Sequence, residues 1–142
     1  MAGKGPGYEF FEHTADIGIR ATGTTREELF IRMAQGLTEL IAEESRLEPK
    51  QRRDLMLRAE DVESLLLTWL QELLFLFSTD HFLPVDYALD EVTPTSLRGQ
   101  VRGDIFDLAR HVQGREVKAI TRHLLQVKRQ EGAWYGQVLV DV

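Results

Sequence analysis

Apolar and polar residues alternate at several places in the chain, and this pattern predicts strands in both halves. Over Asp16–Thr22, Ile17, Ile19 and Ala21 alternate with glycine or polar residues, which is typical of a half-buried strand. Similar reasoning predicts further extended segments, with hairpin connections at Thr93-Pro94-Thr95 and Gln130-Glu131-Gly132. These segments are Tyr8–His13, Arg53–Ala59, Val85–Val92, Ser96–Arg102, Glu116–Val127 and Trp134–Val142.

Two other segments have the spacing of helices. Apolar residues from Leu29 to Ile41 recur at helical intervals and predict an amphipathic helix over roughly residues 25–44. Its start offers a capping box formed by Thr24 and Glu27 or by Thr25 and Glu28. A second helix is predicted over about residues 62–78, with Asp61 as its cap. Its apolar residues cover nearly the whole circumference, but polar residues interrupt them, so we expect a helix packed on several sides and not a membrane span.

The order of these elements predicts the fold class. Two strands, a helix, a strand, a second helix and four more strands indicate an α+β fold with a mixed or antiparallel β-sheet and two main helices. The chain of 142 residues has the usual size of one domain. We therefore expect a single domain over residues 8–142, preceded by a flexible lead-in over residues 1–7 that is too short and polar to be a signal peptide.

Composition narrows the functional classes. The chain contains no cysteine, which excludes disulfides, thiolate zinc sites and cysteine nucleophiles and fits a reducing, cytoplasmic location. The net charge of −6 argues against a general nucleic-acid binder, although a basic stretch runs from Lys118 to Arg129. There is no glycine-rich phosphate loop and no nucleophile elbow, so no covalent catalyst is expected.

The string Phe11-Glu12-His13-Thr14-Ala15-Asp16-Ile17-Gly18 is a candidate site for chemistry, because it places a histidine and a carboxylate three residues apart between two predicted strands. Asp16 could give oxygen to a hard cation such as Ca²⁺ or Mg²⁺, and His13 would suit a softer ion. Alternatively, Asp16 bonds backbone N–H groups in a turn while His13 packs partly buried. Spacing alone leaves both interpretations open.

The end of the sequence is a second candidate, because it runs through an apolar strand to Asp141 and Val142. If that strand is docked in the fold, the side chain of Asp141 and the α-carboxylate of Val142 form an oxygen-rich cluster. The alternative is an exposed end with solvated charges. Lys118 lies in the preceding predicted strand, where it could reach this cluster or a phosphate, or could simply be an exposed residue.

Four strings occur in an order that resembles the archease family. They are Phe11–Gly18, the Trp69-Leu70-x-Glu72-Leu73-Leu74 string within Leu65–Leu74, Lys118-Ala119-Ile120-Thr121 and Val140-Asp141-Val142. The resemblance covers about Tyr8 to Val142. It implies a small cytoplasmic α+β protein that assists the RtcB-type RNA-splicing ligase. That ligase uses GTP and manganese to join RNA ends, notably in tRNA splicing, and archeases are thought to promote its guanylation and multiple turnover.

The resemblance also implies site residues. Asp16, Asp141 and Val142 match the ligands of a divalent ion, with calcium as the first expectation and magnesium or manganese as alternatives, and His13 is a neighbour of that site. Lys118 matches a lysine implicated in activation. The chain would then be a non-enzymatic partner of the ligase, with RNA contacted only indirectly and with no DNA or membrane partner.

One position departs from the family, and two other functions compete with this one. Arg122 stands where the family often has tyrosine after Lys-Ala-x-Thr, which could alter partner specificity. A metal-dependent phosphoesterase could use Asp16, His13 and Asp141 to hold its ion. A chaperone-like modulator of RNA- or DNA-processing proteins is the third interpretation.

Overall fold

The computed structural model describes residues 4–5, 7–43 and 46–142, which form eight strands and two α-helices. In chain order the elements are β1 (Lys4–Gly5), β2 (Tyr8–His13), β3 (Asp16–Gly23), α1 (Arg26–Ile41), β4 (Gln51–Arg58), α2 (Val62–Asp80), β5 (Phe82–Val92), β6 (Ser96–Ile105), β7 (Ala119–Gln130) and β8 (Ala133–Asp141).

The strands form two sheets, and every pairing among the described residues is antiparallel. The larger sheet has the order β1-β2-β3-β8-β7, and the smaller one has the order β4-β6-β5. The last strand therefore lies between β3 and β7, near the middle of the larger sheet. The predicted α+β class with two helices is confirmed, and the strands divide into two sheets.

Both helices pack against both sheets. The helix α1 contacts β2, β3 and β8 of the larger sheet and β5 of the smaller one, and α2 contacts β7 and all three strands of the smaller sheet. Side chains from all these layers form one hydrophobic core that includes Ile19, Phe30, Trp69, Phe82 and Leu97, each fully buried. The helices thus fill the space between the sheets, and the other face of the larger sheet is left for the site described below.

Local sequence explains where α1 begins and how its end is satisfied. Thr25 caps the helix by accepting a hydrogen bond from the Glu28 N–H at 3.1 Å, so the Thr25–Glu28 alternative is confirmed. The Glu28 carboxylate accepts from the N–H of Thr24 at 2.8 Å, one residue before the cap. At the other end, the N–H groups of Gly114 and Arg115 donate to the last carbonyls of α1.

The helix α2 begins at the predicted cap, where Asp61 accepts from the Ser64 N–H at 2.8 Å. Its length and composition would allow a membrane crossing, a test that core helices also pass, and 33% of its apolar window is buried. Leu66, Trp69 and Leu70 have no exposed surface, whereas Phe75 near the C-terminal end is 57% exposed. Contacts with both sheets make α2 a core helix, as predicted, with one uncovered turn.

One predicted strand begins later in the structure, and the predicted lead-in is not tested. The prediction of a flexible lead-in over residues 1–7 lies largely outside the described residues, but Lys4 and Gly5 pair with β2. The strand predicted to begin at Glu116 begins at Ala119, because the segment before it is bound to the end of α1 through Gly114 and Arg115. The hairpin turn at Glu131 and Gly132 is confirmed, and both residues have positive φ (53° and 78°), as a type I′ turn requires.

Candidate metal centre

The face of the larger sheet that points away from the helices, called the outer face below, carries the candidate site residues. Along β3, Ile17, Ile19 and Ala21 are buried in the helix-side core, so alternation places Asp16, Gly18, Arg20 and Thr22 on the outer face. Directly opposite residues of an antiparallel pair share a face, so the β8 partners of these residues lie on it as well.

Asp16 and Asp141 lie directly opposite each other on neighbouring strands, in the first rung of the β3–β8 ladder. Cα atoms in such a rung are about 4.5–5.5 Å apart. Both residues are half-buried, and within the part of the chain that the structure describes neither carboxylate has a cationic side chain within 4.0 Å. Like charges in this arrangement are destabilising, so the rung favours a bound cation.

Lys118 and Val142 lie next to this rung. The backbone N–H of Lys118 donates to the carbonyl of Asp141 at 2.8 Å, and Ala119 is the Cα partner of Asp141. The Lys118 side chain is exposed and forms no ion pair with another described residue. Val142 is half-buried and packs against the hydrophobic core, so of the two alternatives for the strand end the docked one is observed.

Next along the outer face, a tight aromatic contact fixes the β2–β3 hairpin. Phe11 lies opposite Gly18, and its ring occupies the space where a Cβ on Gly18 would be. The guanidinium of Arg20 lies 4.1 Å from the centre of the Phe11 ring, in cation–π geometry. Leu139, the β8 partner of Gly18, is fully buried although it lies outside the helix-side core. The outer face therefore has a small packed layer of its own.

A large bulge in β7 contributes to this layer. Thr121 pairs with Leu139 and Gln126 pairs with Gln137, so the four residues between them, Arg122–Leu125, lie opposite one residue of β8. The amide of Gln137, an outer-face residue, donates to the Leu124 carbonyl at 2.9 Å. The bulge is thereby held over the outer face.

The bulge brings His123 to the β2–β3 turn, where its ring lies 5.5 Å from that of His13 between centroids. Thr14 in this turn has a positive φ of 56°, which closes the two-residue connection between His13 and Asp16. The contact between the two histidines was not expected, because they are far apart in the chain. The only signal was that alternation places His123 on the same face as Thr121.

A second buried polar cluster, also missed from the sequence, lies at the end of the smaller sheet. Asp104 and His111 are almost fully buried, although polar and charged residues are common in their part of the sequence. Burial raises the pKa of Asp104, but hydrogen bonds from Arg110 and from the backbone N–H groups of Glu48 and Ile105 outweigh it and lower the pKa to about 2. This cluster is structural, and it ties the loop before β4 to β6.

The donor set at the Asp16–Asp141 rung fits a hard cation. The two opposed carboxylates of Asp16 and Asp141 offer the oxygen ligands that Ca²⁺ takes in flexible geometry. Among residues 4–5, 7–43 and 46–142 there is no group of three or more histidine, cysteine, aspartate or glutamate side chains placed to hold a metal. A closed zinc-type site is therefore not formed, and a calcium-type site completed by other oxygen atoms stays a prediction.

The fold and the outer face define a class: small α+β proteins in which two helices lie between two antiparallel sheets. The sequence model of the Archease protein family (MTH1598/TM1083) matches residues 8–142. The archease from Methanosarcina barkeri is 34% identical to the chain, and the match covers 100% of both sequences. The archease from Pyrococcus furiosus is 37% identical, and the match covers 95% of this chain and 98% of its own length. The chain belongs to the archease family.

Two solved structures are similar to this one. Protein 1598 of Methanobacterium thermoautotrophicum, determined in solution, is 33% identical with a TM-score of 0.81 and covers 96% of this chain and 99% of its own. An archease from Thermotoga maritima, described as a possible chaperone, has a crystal structure that matches with a TM-score of 0.67. It is 23% identical in sequence, and the match covers 98% of this chain and 97% of its own. The first supports the family, and the second supports the fold.

Proposed function

We propose that this archease is a non-catalytic, cytoplasmic protein that binds a divalent cation and activates an RtcB-type RNA-splicing ligase in tRNA splicing and RNA repair. The observation that carries the proposal is the Asp16–Asp141 rung, two opposed carboxylates without a neighbouring cationic side chain, in a chain of this family. The ligase would supply the reaction chemistry, and this chain would supply a charged surface that promotes guanylation and turnover.

In this proposal Asp16, Asp141 and Val142 hold the cation, with calcium favoured because the donors are oxygen atoms. A bound calcium ion would neutralise the rung and offer open positions to an anionic group such as a phosphate. The antiparallel ladder fixes the spacing of the two aspartates, since the rung lies between two paired strands near the middle of the sheet. The site is thus built on a rigid element.

Lys118 is proposed to act on the partner and not on the cation. Its backbone is anchored to Asp141, while its side chain is exposed and unpaired among the described residues. An anchored backbone with a free ammonium group can reach a phosphate or carboxylate presented at the same edge of the sheet. Arg122, where the family often has tyrosine, donates to the Ser64 hydroxyl at 3.2 Å. That contact ties the β7 bulge to α2 in this chain.

Calcium is expected to stabilise the wild-type protein and not the Asp141→Asn variant. At a calcium concentration of about 100 times the dissociation constant, the free energy of unfolding should rise by about 2.7 kcal/mol. Without calcium the variant should be at least as stable as the wild type, because the repulsion across the rung is removed. Thermal unfolding with EDTA and with calcium measures both effects.

A matched control is Asp90→Asn, which changes an exposed carboxylate that pairs with Arg98 in the smaller sheet. It should retain the whole calcium-induced shift. An equal shift in the wild type and in Asp141→Asn would show that the rung does not hold the ion.

Stimulation of the ligase is expected to depend on both aspartates. With Asp16→Asn or Asp141→Asn, we expect the stimulated rate of ligase guanylation to be at least tenfold lower than with the wild type. The rate is measured with GTP, manganese and an RtcB-type ligase. Asp90→Asn should stimulate as the wild type does. Lys118→Ala should lose stimulation and keep the calcium-induced stabilisation, which separates activation from ion binding. Full stimulation by folded Asp16→Asn would overturn the proposal.

A chaperone-like role is the second candidate, because the Thermotoga maritima structure is described as a possible chaperone. Affinity capture from cell extract separates the two functions. One dominant ligase partner supports activation of the ligase, and a wide range of unfolded proteins supports the chaperone. Nothing in the described residues favours the phosphoesterase, since no third histidine, aspartate or glutamate side chain joins Asp16 and Asp141 in a metal-binding group.

A further inference from the structure

The β7 bulge has a defined shape and delivers one particular side chain. Leu124 adopts a positive φ of 58°, and its carbonyl accepts the bond from Gln137 on one side. On the other side, Arg122 donates to Ser64 of α2. Bulges commonly re-aim a side chain, and here the residue between these two anchors is His123. The bulge therefore holds its imidazole over the β2–β3 turn, against the ring of His13.

The geometry of the two rings matches a shared metal ion. Their centroids are 5.5 Å apart and their planes are inclined by 59°. Two imidazoles that bind one Zn²⁺ at about 2.0–2.1 Å and near-tetrahedral angles have ring centres roughly 5–5.5 Å apart. The distance between the two rings therefore suits a shared ion.

One ring nitrogen of His13, Nδ1, forms no hydrogen bond with any described residue. The same atom is shielded from solvent. A shielded imidazole nitrogen without a partner is costly, and ring packing against His123 does nothing to satisfy it. A cation held between the rings would take its lone pair. His123 is exposed, so an ion could enter from solvent.

We propose that His13 and His123 form a second cation site, selective for a borderline divalent ion of the zinc class and distinct from the Asp16–Asp141 rung. Neutral imidazole is a preferred ligand of Zn²⁺, Ni²⁺ and Cu²⁺ and a poor one for Ca²⁺. Two histidines leave two coordination positions open to water or to a group from a bound partner. The chain thus carries a nitrogen site and an oxygen site side by side on one face.

Titration of the wild-type protein with Zn²⁺, with Ca²⁺ in large excess, tests the proposal without any substitution. The rung is then occupied by calcium, and histidine ring resonances in two-dimensional ¹H–¹⁵N spectra report on zinc. We expect one equivalent of zinc to shift the His13 and His123 rings and to leave His81 and His111 unchanged. No binding, or a shift confined to His81 or His111, would overturn the site.

Variants give the second test, by calorimetric titration with zinc in the same calcium buffer. His13→Gln and His123→Gln should each lose at least tenfold in zinc affinity, and the matched control His81→Asn should lose none. Asparagine suits the left-handed backbone at position 81, where φ is 59°. Because His123 is exposed, His123→Gln should fold normally, so its zinc affinity tests the site even if His13→Gln unfolds. Unchanged zinc affinity in His123→Gln would contradict the histidine site. Loss of zinc affinity in folded Asp141→Asn would contradict its separation from the Asp16–Asp141 rung.

Discussion

Truncating Trp69 to alanine is expected to lower the free energy of unfolding by about 3–5 kcal/mol, a large part of the stability of a domain this size. Trp69 has no exposed surface and lies on α2, between the two sheets. Its indole N–H donates to the Phe30 carbonyl of α1 at 2.9 Å, so truncation removes packing and the only side-chain bond to that carbonyl among the described residues. Chemical denaturation followed by far-ultraviolet circular dichroism measures the change.

The natural comparison is Phe75→Ala, another aromatic truncation on the same helix. Phe75 is 57% exposed, so its loss should cost less than about 1 kcal/mol. Trp69→Phe should fall between the two, because it keeps most of the volume and loses the hydrogen bond. Similar costs for Trp69→Ala and Phe75→Ala would mean that α2 is not the core helix described above.

Acid should weaken the fold through Asp104. The carboxylate is 2% exposed, and its pKa is lowered from the ordinary value of 3.8 to about 2. A carboxylate with a lowered folded-state pKa stabilises the protein above its unfolded pKa, and this contribution disappears as the pH falls from about 4 to about 2. The shift corresponds to about 2 kcal/mol at neutral pH. We therefore expect Asp104→Asn to lose roughly that amount at pH 7 and almost nothing at pH 2.

Denaturation curves recorded from pH 7 to pH 2 test this expectation, with Asp90→Asn as the exposed-carboxylate control. The free energy of unfolding of the wild type and of Asp104→Asn should converge as the pH falls, whereas Asp90→Asn should follow the wild type throughout. Parallel curves for the wild type and Asp104→Asn would show that the bonds from Arg110, Glu48 and Ile105 do not hold the charged carboxylate.

Most of the fold could be predicted because its signals are local. The alternation of Ile17, Ile19 and Ala21 located β3, and the capping pair of Thr25 and Glu28 located the start of α1. A predicted strand boundary was wrong where the structure depends on backbone contacts between distant residues. β7 begins later than predicted because Gly114 and Arg115 are bound to the end of α1, a contact with no local pattern. The division of the strands into two sheets depended on the same kind of long-range pairing.

The candidate site could be predicted in part. The motif around His13 and Asp16 and the strand that runs to Asp141 and Val142 were recognised from the sequence as candidates, and the structure places Asp16 directly opposite Asp141. What they bind stays a prediction. The burial of Asp104 beside His111 was not expected, because nothing in a polar segment shows that its charges will be enclosed by neighbouring loops.

The sequence by itself determined the elements, the class of the fold and the residues of the Asp16 motif, since alternation, helical spacing and caps act over a few positions. Only the tertiary structure decided which residues became neighbours across the sheet. Placing β8 between β3 and β7 made Asp141 the partner of Asp16, and the bulge placed His123 against His13. These distances depend on register and on one irregular strand, which are set by packing of the whole chain and not by any local run of residues.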